Sequence, residues 1–195
     1  RELERCTNKI VRKVITSHIK SSRKIVGIRI RKTDLPNYLE NEIIQNSKYT
    51  DIKESGVVKA VASNEYGGLS LNIEVSSFKG TGKYIYTGFL GDIVKESIEV
   101  AMSYIKSNYE LFSIKEDYFE THDIHIHFTE NGISKDGPSA GIAIVTAILS
   151  HIKDKPINQN ISMTGEITLK GEILGVGSIK EKSIAASKNN IIKLF

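Results

Sequence analysis

Residues 140–149 read Ala-Gly-Ile-Ala-Ile-Val-Thr-Ala-Ile-Leu, apolar on almost every side. A helix with no polar face cannot lie on a surface, so the rest of the chain has to enclose this one. The sequence supplies the enclosing elements. Residues 57–62 form an apolar strand candidate. Leu69, Leu71, Ile73 and Val75 alternate with Ser70, Asn72 and Glu74, the period of a strand with one buried face. The β pattern continues at 83–87, and 123–128 alternates again with Ile124, Ile126 and Phe128 on one side. Asp92 is placed to cap a helix whose core side carries Ile93, Val94, Ile98, Ala101, Met102 and Ile105. Short strands are expected at 161–164 and 167–174, the second turning at Lys170-Gly171, then a helix at 178–188 and a strand at 190–195. Interspersed strands and helices predict an α/β (α+β) fold with a mixed sheet.

The first 55 residues have a different character. Spacing predicts an amphipathic helix over 1–20, with Leu3, Cys6, Ile10 and Val14 on one stripe beside Val11 and Ile15, so that Cys6 reads as a small buried apolar residue. A short strand at 24–30 and a small helix at 35–39 follow. The polar stretch 46–55 reads as a linker, which divides the chain into 1–50 and 51–195. Eleven Lys and Arg residues stand against Glu2 and Glu4 within 1–33, a balance of +9 in a chain of net charge +4, so the remainder is net −5. A solvated basic helix face is the ordinary meaning of such a segment, and contact with DNA is the alternative.

At 39% hydrophobic and 26% charged, 195 residues can bury a real core, and no apolar run reaches bilayer length. The single Cys6 excludes an internal disulfide framework and a multi-cysteine metal site, which fits a reducing compartment.

Ser139 is the first candidate for chemistry. It follows Gly137-Pro138 at the start of the apolar helix, where proline costs no hydrogen bond and free amides could stabilise an oxyanion. Small neighbours (Gly137, Ala140, Gly141) let a substrate backbone approach. A capping serine has the same signature. A nucleophilic serine needs a base. His18, His122, His125, His127 and His151 stand in no triad pattern. Asp123, His125 and His127 share one strand face and would suit a metal, but no second ligand cluster accompanies them, and structural histidines are the commoner case. A lysine base must be neutral, hence desolvated. In Ile179-Lys180-Glu181-Lys182, helical spacing puts Lys182 on a face with Ile179, Ala185 and Ala186, and Lys180 with Ser183, Ile184 and Ser187. Packing would therefore bury Lys182. Gly80-Thr81-Gly82-Lys83 imitates a phosphate loop, but Ser77 stands where its first glycine belongs and Tyr84 where the Mg²⁺-binding hydroxyl belongs.

The run Lys135-Asp136-Gly137-Pro138-Ser139-Ala140-Gly141 resembles the nucleophile motif of the Lon protease family, and Met163–Leu169 with Gly171 and 179–186 resembles its lysine segment. Lys182 follows Ser139 by 43 positions, the family spacing, and the similarity reaches back through Asp123–His127, 88–97 and 65–68. The resemblance implies a proteolytic domain at 51–195, cut at its C-terminal end, preceded at 1–50 by the last helical piece of an ATPase module. It implies a Ser139–Lys182 dyad, with Thr164 orienting the lysine, Asp136 contacting it in some members, and Glu74 a carboxylate near the site. No cofactor is expected in these residues; ATP and Mg²⁺ would belong to the ATPase module. Unfolded polypeptides would be the substrates and a hexameric ring the assembly. Gln159-Asn160 and 144–147 are similar to mitochondrial members, implying the mitochondrial matrix, with the bacterial cytoplasm as alternative. Gly175-Val176-Gly177-Ser178 departs from a Pro-x-Gly-Gly pattern and Ser63 from a common tryptophan, both bearing on the substrate groove. A catalytically inert Lon-like assembly domain is the rival reading, and it gives no reason for Ser139 and Lys182 to be present together.

Overall fold

The computed structural model describes residues 2–21, 27–39, 54–64, 67–130 and 132–195, and the chain divides into two compact units, Arg1–Thr50 and Asp51–Phe195. The first unit holds helix α1 (Glu2–Ser21), a 3-10 turn at Lys32–Asp34 and the short α2 (Leu35–Leu39). Lys13 reaches from α1 to the Asn37 carbonyl of α2 at 3.4 Å. On the α1 stripe Cys6, Ile10 and Val14 are half-buried, whereas Leu3 is 82% exposed. Of the strand expected at 24–30, residues 24–26 lie outside the described residues and 27–30 form no strand. Most of the linker expected at 46–55 also lies outside them.

The second unit is built on a four-stranded sheet. Its strands are β1 (Val57–Asn64), β2 (Gly67–Lys79), β3 (Tyr84–Thr87) and β4 (His122–Phe128), in spatial order β1-β2-β4-β3. β1–β2 and β2–β4 are antiparallel, whereas β3 runs parallel to β4, so the sheet is mixed as the interspersed pattern predicts. Alternation sorts the side chains. Val58, Ala60, Leu71, Ile73, Val75, Ile124, Ile126 and Phe128 share one face and meet α3 (Asp92–Ser107) and α5 (Gly141–Ile152) in a single core. The apolar helix is enclosed as required: Ala143, Ile144, Ala147 and Ile148 are 0% exposed.

Around this frame lie α4 (Tyr118–Thr121), β5 (Ile161–Ser162), β6 (Glu166–Ile167), β7 (Ile173–Leu174), α6 (Ile179–Lys188) and β8 (Lys193–Leu194). β5 pairs in parallel with β8, and Met163 bridges to Ala60, which brings the 161–164 strand beside β1. The hairpin β6–β7 turns through Lys170 and Gly171 as expected, with Gly171 at φ +86°. α6 packs on β1 and β2 from the face opposite α5, where Val61 meets Ala186 and Ile191.

Two expectations at the start of α3 change. Gly91, not Asp92, is its N-cap, and Ile93 is 47% exposed. The cap hydrogen bond comes from elsewhere: the Ile93 N–H donates to Asp136 Oδ1 at 3.0 Å. A carboxylate at a helix N-terminus meets free N–H groups and the positive end of the dipole, so the loop before Ser139 is tied to α3.

Candidate active site

Ser139 lies in a one-turn 3-10 helix, Pro138–Ala140, that runs into α5; it precedes the α-helix rather than opening it. Gly137 enters this turn at φ +156° and ψ 152°, a conformation glycine alone adopts readily. The turn is fixed from one side by the segment after β5. The Gly165 N–H donates to the Ser139 carbonyl at 2.8 Å, and the Ile142 N–H returns a bond to the Gly165 carbonyl at 3.1 Å. Gly141 itself admits no side chain, since a Cβ there would lie 2.7 Å from the Ile167 nitrogen. Ser139 is half-buried on the wall of a cleft of about 300 Å³, whose other walls include Ala60, Leu71, Val94, Phe128 and Ser63.

Lys182 is 3% exposed, in company with Ala185 at 2% and Ala186 at 5%, whereas Lys180, Ser183 and Ser187 are exposed. The helical-face argument thus holds for the lysines. It fails for Ile179, which is 50% exposed at the first turn of α6. The Lys182 ammonium donates to Thr164 Oγ1 at 3.0 Å, and Thr164 Oγ1 donates in turn to the Ser139 carbonyl at 3.2 Å. Thr164 is itself held by its N–H to the Phe195 carbonyl at 2.9 Å. Among the described residues no carboxylate pairs with Lys182, and burial alone holds its pKa below the usual lysine value. The structure therefore brings Lys182, Thr164 and the Ser139 main chain together. No direct hydrogen bond joins the Lys182 amine to the Ser139 hydroxyl.

Two other residues fall elsewhere. Asp136 is exposed and bonds the α3 N-terminus, without contact to Lys182. Glu74 lines a different groove. On β2 it alternates out of phase with Leu71, so its side chain leaves the sheet on the face that α6 also covers. There it stands opposite His127 and lines a separate, open groove of about 1040 Å³ with His125, His151 and Asp154.

The histidines in that region have local partners. Thr87 Oγ1 lies 2.9 Å from His125 Nε2 and 2.7 Å from His127 Nδ1. Asp123 accepts the N–H groups of Thr81 and Lys83 at 2.7 and 2.9 Å, and those bonds, Lys83 first, hold its pKa below the usual carboxylate value. The amides that a phosphate would need at 80–83 are thus turned onto a carboxylate. Among the described residues no three His, Cys, Asp or Glu side chains gather as a metal site. Treating the protein with a strong chelator is expected to leave its folding unchanged, read by circular dichroism.

Two features escaped the sequence. Ser77 Oγ lies 2.8 Å from His151 Nε2 and 2.9 Å from the Tyr118 hydroxyl, a serine–histidine contact between residues 74 positions apart. Burial lowers the His151 pKa, and the bridge knits α4, β2 and α5 together. Lys135, 6% exposed, is a second buried lysine beside the nucleophile loop. A lysine next to Asp136 in a polar loop carries no periodicity that would mark it as buried.

Comparison with known proteins gives the lineage. Residues 29–195 match the model of the Lon protease C-terminal proteolytic domain. The chain is 41% identical over 195 residues (100% of its length) to a Lon protease of Clostridioides difficile, covering 25% of that protein. It is 42% identical over 191 residues to one from Buchnera aphidicola of Schizaphis graminum and 39% identical over 191 to one from Mycoplasma mycoides, covering 98% of this chain and 24% of each relative. The chain thus spans about a quarter of the length of these relatives. All three organisms are bacteria, and they lend nothing to the mitochondrial likeness of 144–147 and 159–160. A family match over residues 29–195, with about 40% identity to relatives aligned over nearly the whole chain, establishes that the chain belongs to the Lon protease proteolytic domain family.

Proposed function

We propose that this domain hydrolyses peptide bonds through Ser139 as nucleophile and Lys182 as general base. The observation that carries the reading is the setting of Lys182: buried, without a carboxylate partner, and held by Thr164, which also grips the Ser139 carbonyl. Desolvation without a counter-ion favours the neutral amine, the only form that can accept a proton. Because Thr164 gives its proton to the Ser139 carbonyl, its oxygen receives one amine N–H and leaves the nitrogen lone pair for the serine. Rotation of the Ser139 or Lys182 side chain as substrate arrives closes the remaining gap, since catalytic hydrogen bonds are commonly loose in a free enzyme.

The steps then balance. Lys182 removes the Ser139 hydroxyl proton as Oγ attacks the scissile carbonyl carbon. The tetrahedral oxyanion collapses, the C–N bond breaks, and Lys182 passes the proton to the departing amine. A water, deprotonated by Lys182, attacks the ester, and the acid is released as Oγ recovers a proton. The Gly141 and Ile142 N–H groups already donate to Pro138 and Gly165, so the oxyanion donors would come from earlier in the 137–140 turn. The cleft walls formed by Ala60, Leu71, Val94 and Phe128 suit an apolar side chain beside the scissile bond.

Dependence on ATP and Mg²⁺, supplied by an upstream module, a hexameric ring and unfolded polypeptide substrates are part of the same proposal, drawn from the family. For location, the bacterial relatives favour the bacterial cytoplasm over the mitochondrial matrix. The test is covalent: a fluorophosphonate or peptide boronate should label Ser139, as mapped by mass spectrometry. An adduct on any other residue would sink the assignment.

A further inference from the structure

The two buried lysines near the nucleophile have opposite surroundings. Lys182 meets one hydroxyl oxygen. Lys135 meets three carbonyl oxygens, those of Gly88 at 2.8 Å, Glu130 at 2.6 Å and Ile133 at 2.9 Å. An ammonium has three N–H donors, so all of them are used. The carbonyls belong to two separate stretches, the turn after β3 and the loop after β4. Main-chain bonds seal the same seam: the Lys135 N–H donates to the Phe89 carbonyl at 3.2 Å, and the Gly91 N–H to the Lys135 carbonyl at 2.8 Å. Phe89 is held there at φ +57°, unusual for an aromatic residue. The next residue, Asp136, caps α3, and Ser139 follows within one turn.

We propose that Lys135 is a positioning residue, whose ammonium clamps the loop leading into Ser139 against the turn before α3 and so sets where the nucleophile stands. The proposal rests on the reading of Ser139 as nucleophile. Charge-assisted bonds to carbonyls are strong, and removing the donor takes its bonds from the Gly88 and Ile133 carbonyls, while the Glu130 carbonyl keeps the Ile133 N–H. A neutral amine would do less, since it has two N–H groups for three carbonyls and turns a lone pair towards the third. The clamp therefore works in the charged state. Burial lowers the Lys135 pKa and the Glu130 carboxylate opposes that shift. The facing turn, Gly88-Phe89-Leu90-Gly91, offers no ionisable side chain, and Asp136 is engaged with Ile93.

Two lysines with opposite requirements give a two-sided pH profile. Activity rises as Lys182 loses its proton and falls as Lys135 loses its own.

The test compares the parent protein with Lys135→Met and Lys135→Arg, using fluorophosphonate labelling rates at Ser139 and kcat and KM on one peptide. In folded Lys135→Met, labelling and kcat are expected to fall on the order of 10²-fold, the effect of a displacement of about 1 Å, with KM little changed. The alkaline fall should vanish and the acid limb, set by Lys182, should persist. Lys135→Arg stays charged at any pH tested, so the alkaline limb should move upward in a variant that keeps the donors; this arm stands even if Lys135→Met does not fold. Unchanged labelling of Ser139 in Lys135→Met with only a lower melting temperature, or an alkaline limb unmoved in Lys135→Arg, overturns the clamp while leaving the dyad intact. A parent adduct away from Ser139 removes the dyad reading and this proposal with it.

Discussion

Lys182→Met is expected to lower peptidase turnover by at least ~10²-fold, the lower range for loss of a general base, while Lys180→Met keeps near-normal turnover. The two lysines are two positions apart on α6 and have the same chemistry, so only their surroundings separate them. Lys182 is buried on the face with Ala185 and Ala186 and bonded to Thr164, and Lys180 is exposed. Methionine keeps the length of the lysine stem and removes the basic nitrogen. Both variants should be assayed on one peptide after circular dichroism has shown each to be folded. A dead Lys180→Met beside an active Lys182→Met would place the base on the wrong lysine.

Burial of Lys182 costs stability, and that cost depends on pH in the same direction as the catalysis proposed for the residue. Its folded pKa is lowered, so below that value folding has to bury a charge, and between the folded and unfolded pKa values folding releases a proton that the unfolded chain binds. Stability from this group rises with pH between the folded and unfolded pKa values. With Lys182 as the proposed base, peptidase activity is expected to rise with pH through the same folded pKa, because only a neutral amine accepts a proton. Lys182→Met removes both dependences. It should melt no lower than the parent at neutral pH while being nearly inactive, a separation that damage to the fold could not produce.

These residues show what a sequence can and cannot disclose. Ile124, Ile126 and Phe128, or Ala185 and Ala186 around Lys182, follow from period alone, because each period names a face and a core has to cover it. Ile93 and Ile179 obey the same period yet are exposed, because each lies in the first turn of its helix, where the covering elements stop. Glu74 could be placed on a strand but not in its groove; that required knowing that His125, His151 and Asp154 gather beside it. Asp136 as a cap on α3, Ser77 against His151 and the carbonyl cage of Lys135 join residues 43, 74 and up to 47 positions apart. Such pairings have no local signature. The proposed dyad is legible only through two long motifs at a fixed spacing, since a capping serine and a surface lysine are by far the commoner meanings of each residue alone.

Gly68→Ala is expected to cost on the order of 10²-fold in turnover, through its packing against α6. On β2 it pairs with Ser63, and α6 lies directly above it. A Cβ at this position would sit 1.9 Å from the Glu181 carbonyl oxygen, 2.6 Å from its carbon and 2.9 Å from the Ala185 methyl. The first two are main-chain atoms of the helix, so no side-chain rotation relieves them. Strand and helix have to part, and Lys182 is the very next residue on that helix. Its bond to Thr164, at 3.0 Å, tolerates little of this movement. A displacement of about 1 Å at a catalytic group commonly costs ~10²-fold. Gly27→Ala serves as the comparison, because nothing lies within 4 Å of a Cβ there and its φ is not in the left-handed region. The separation of the two variants lies in kcat at matched folded fraction, with Ser139 labelling slowed in Gly68→Ala and unchanged in Gly27→Ala. Equal activity in both would mean that α6 can shift without disturbing the base, and the placement of Lys182 by close packing on Gly68 would be wrong.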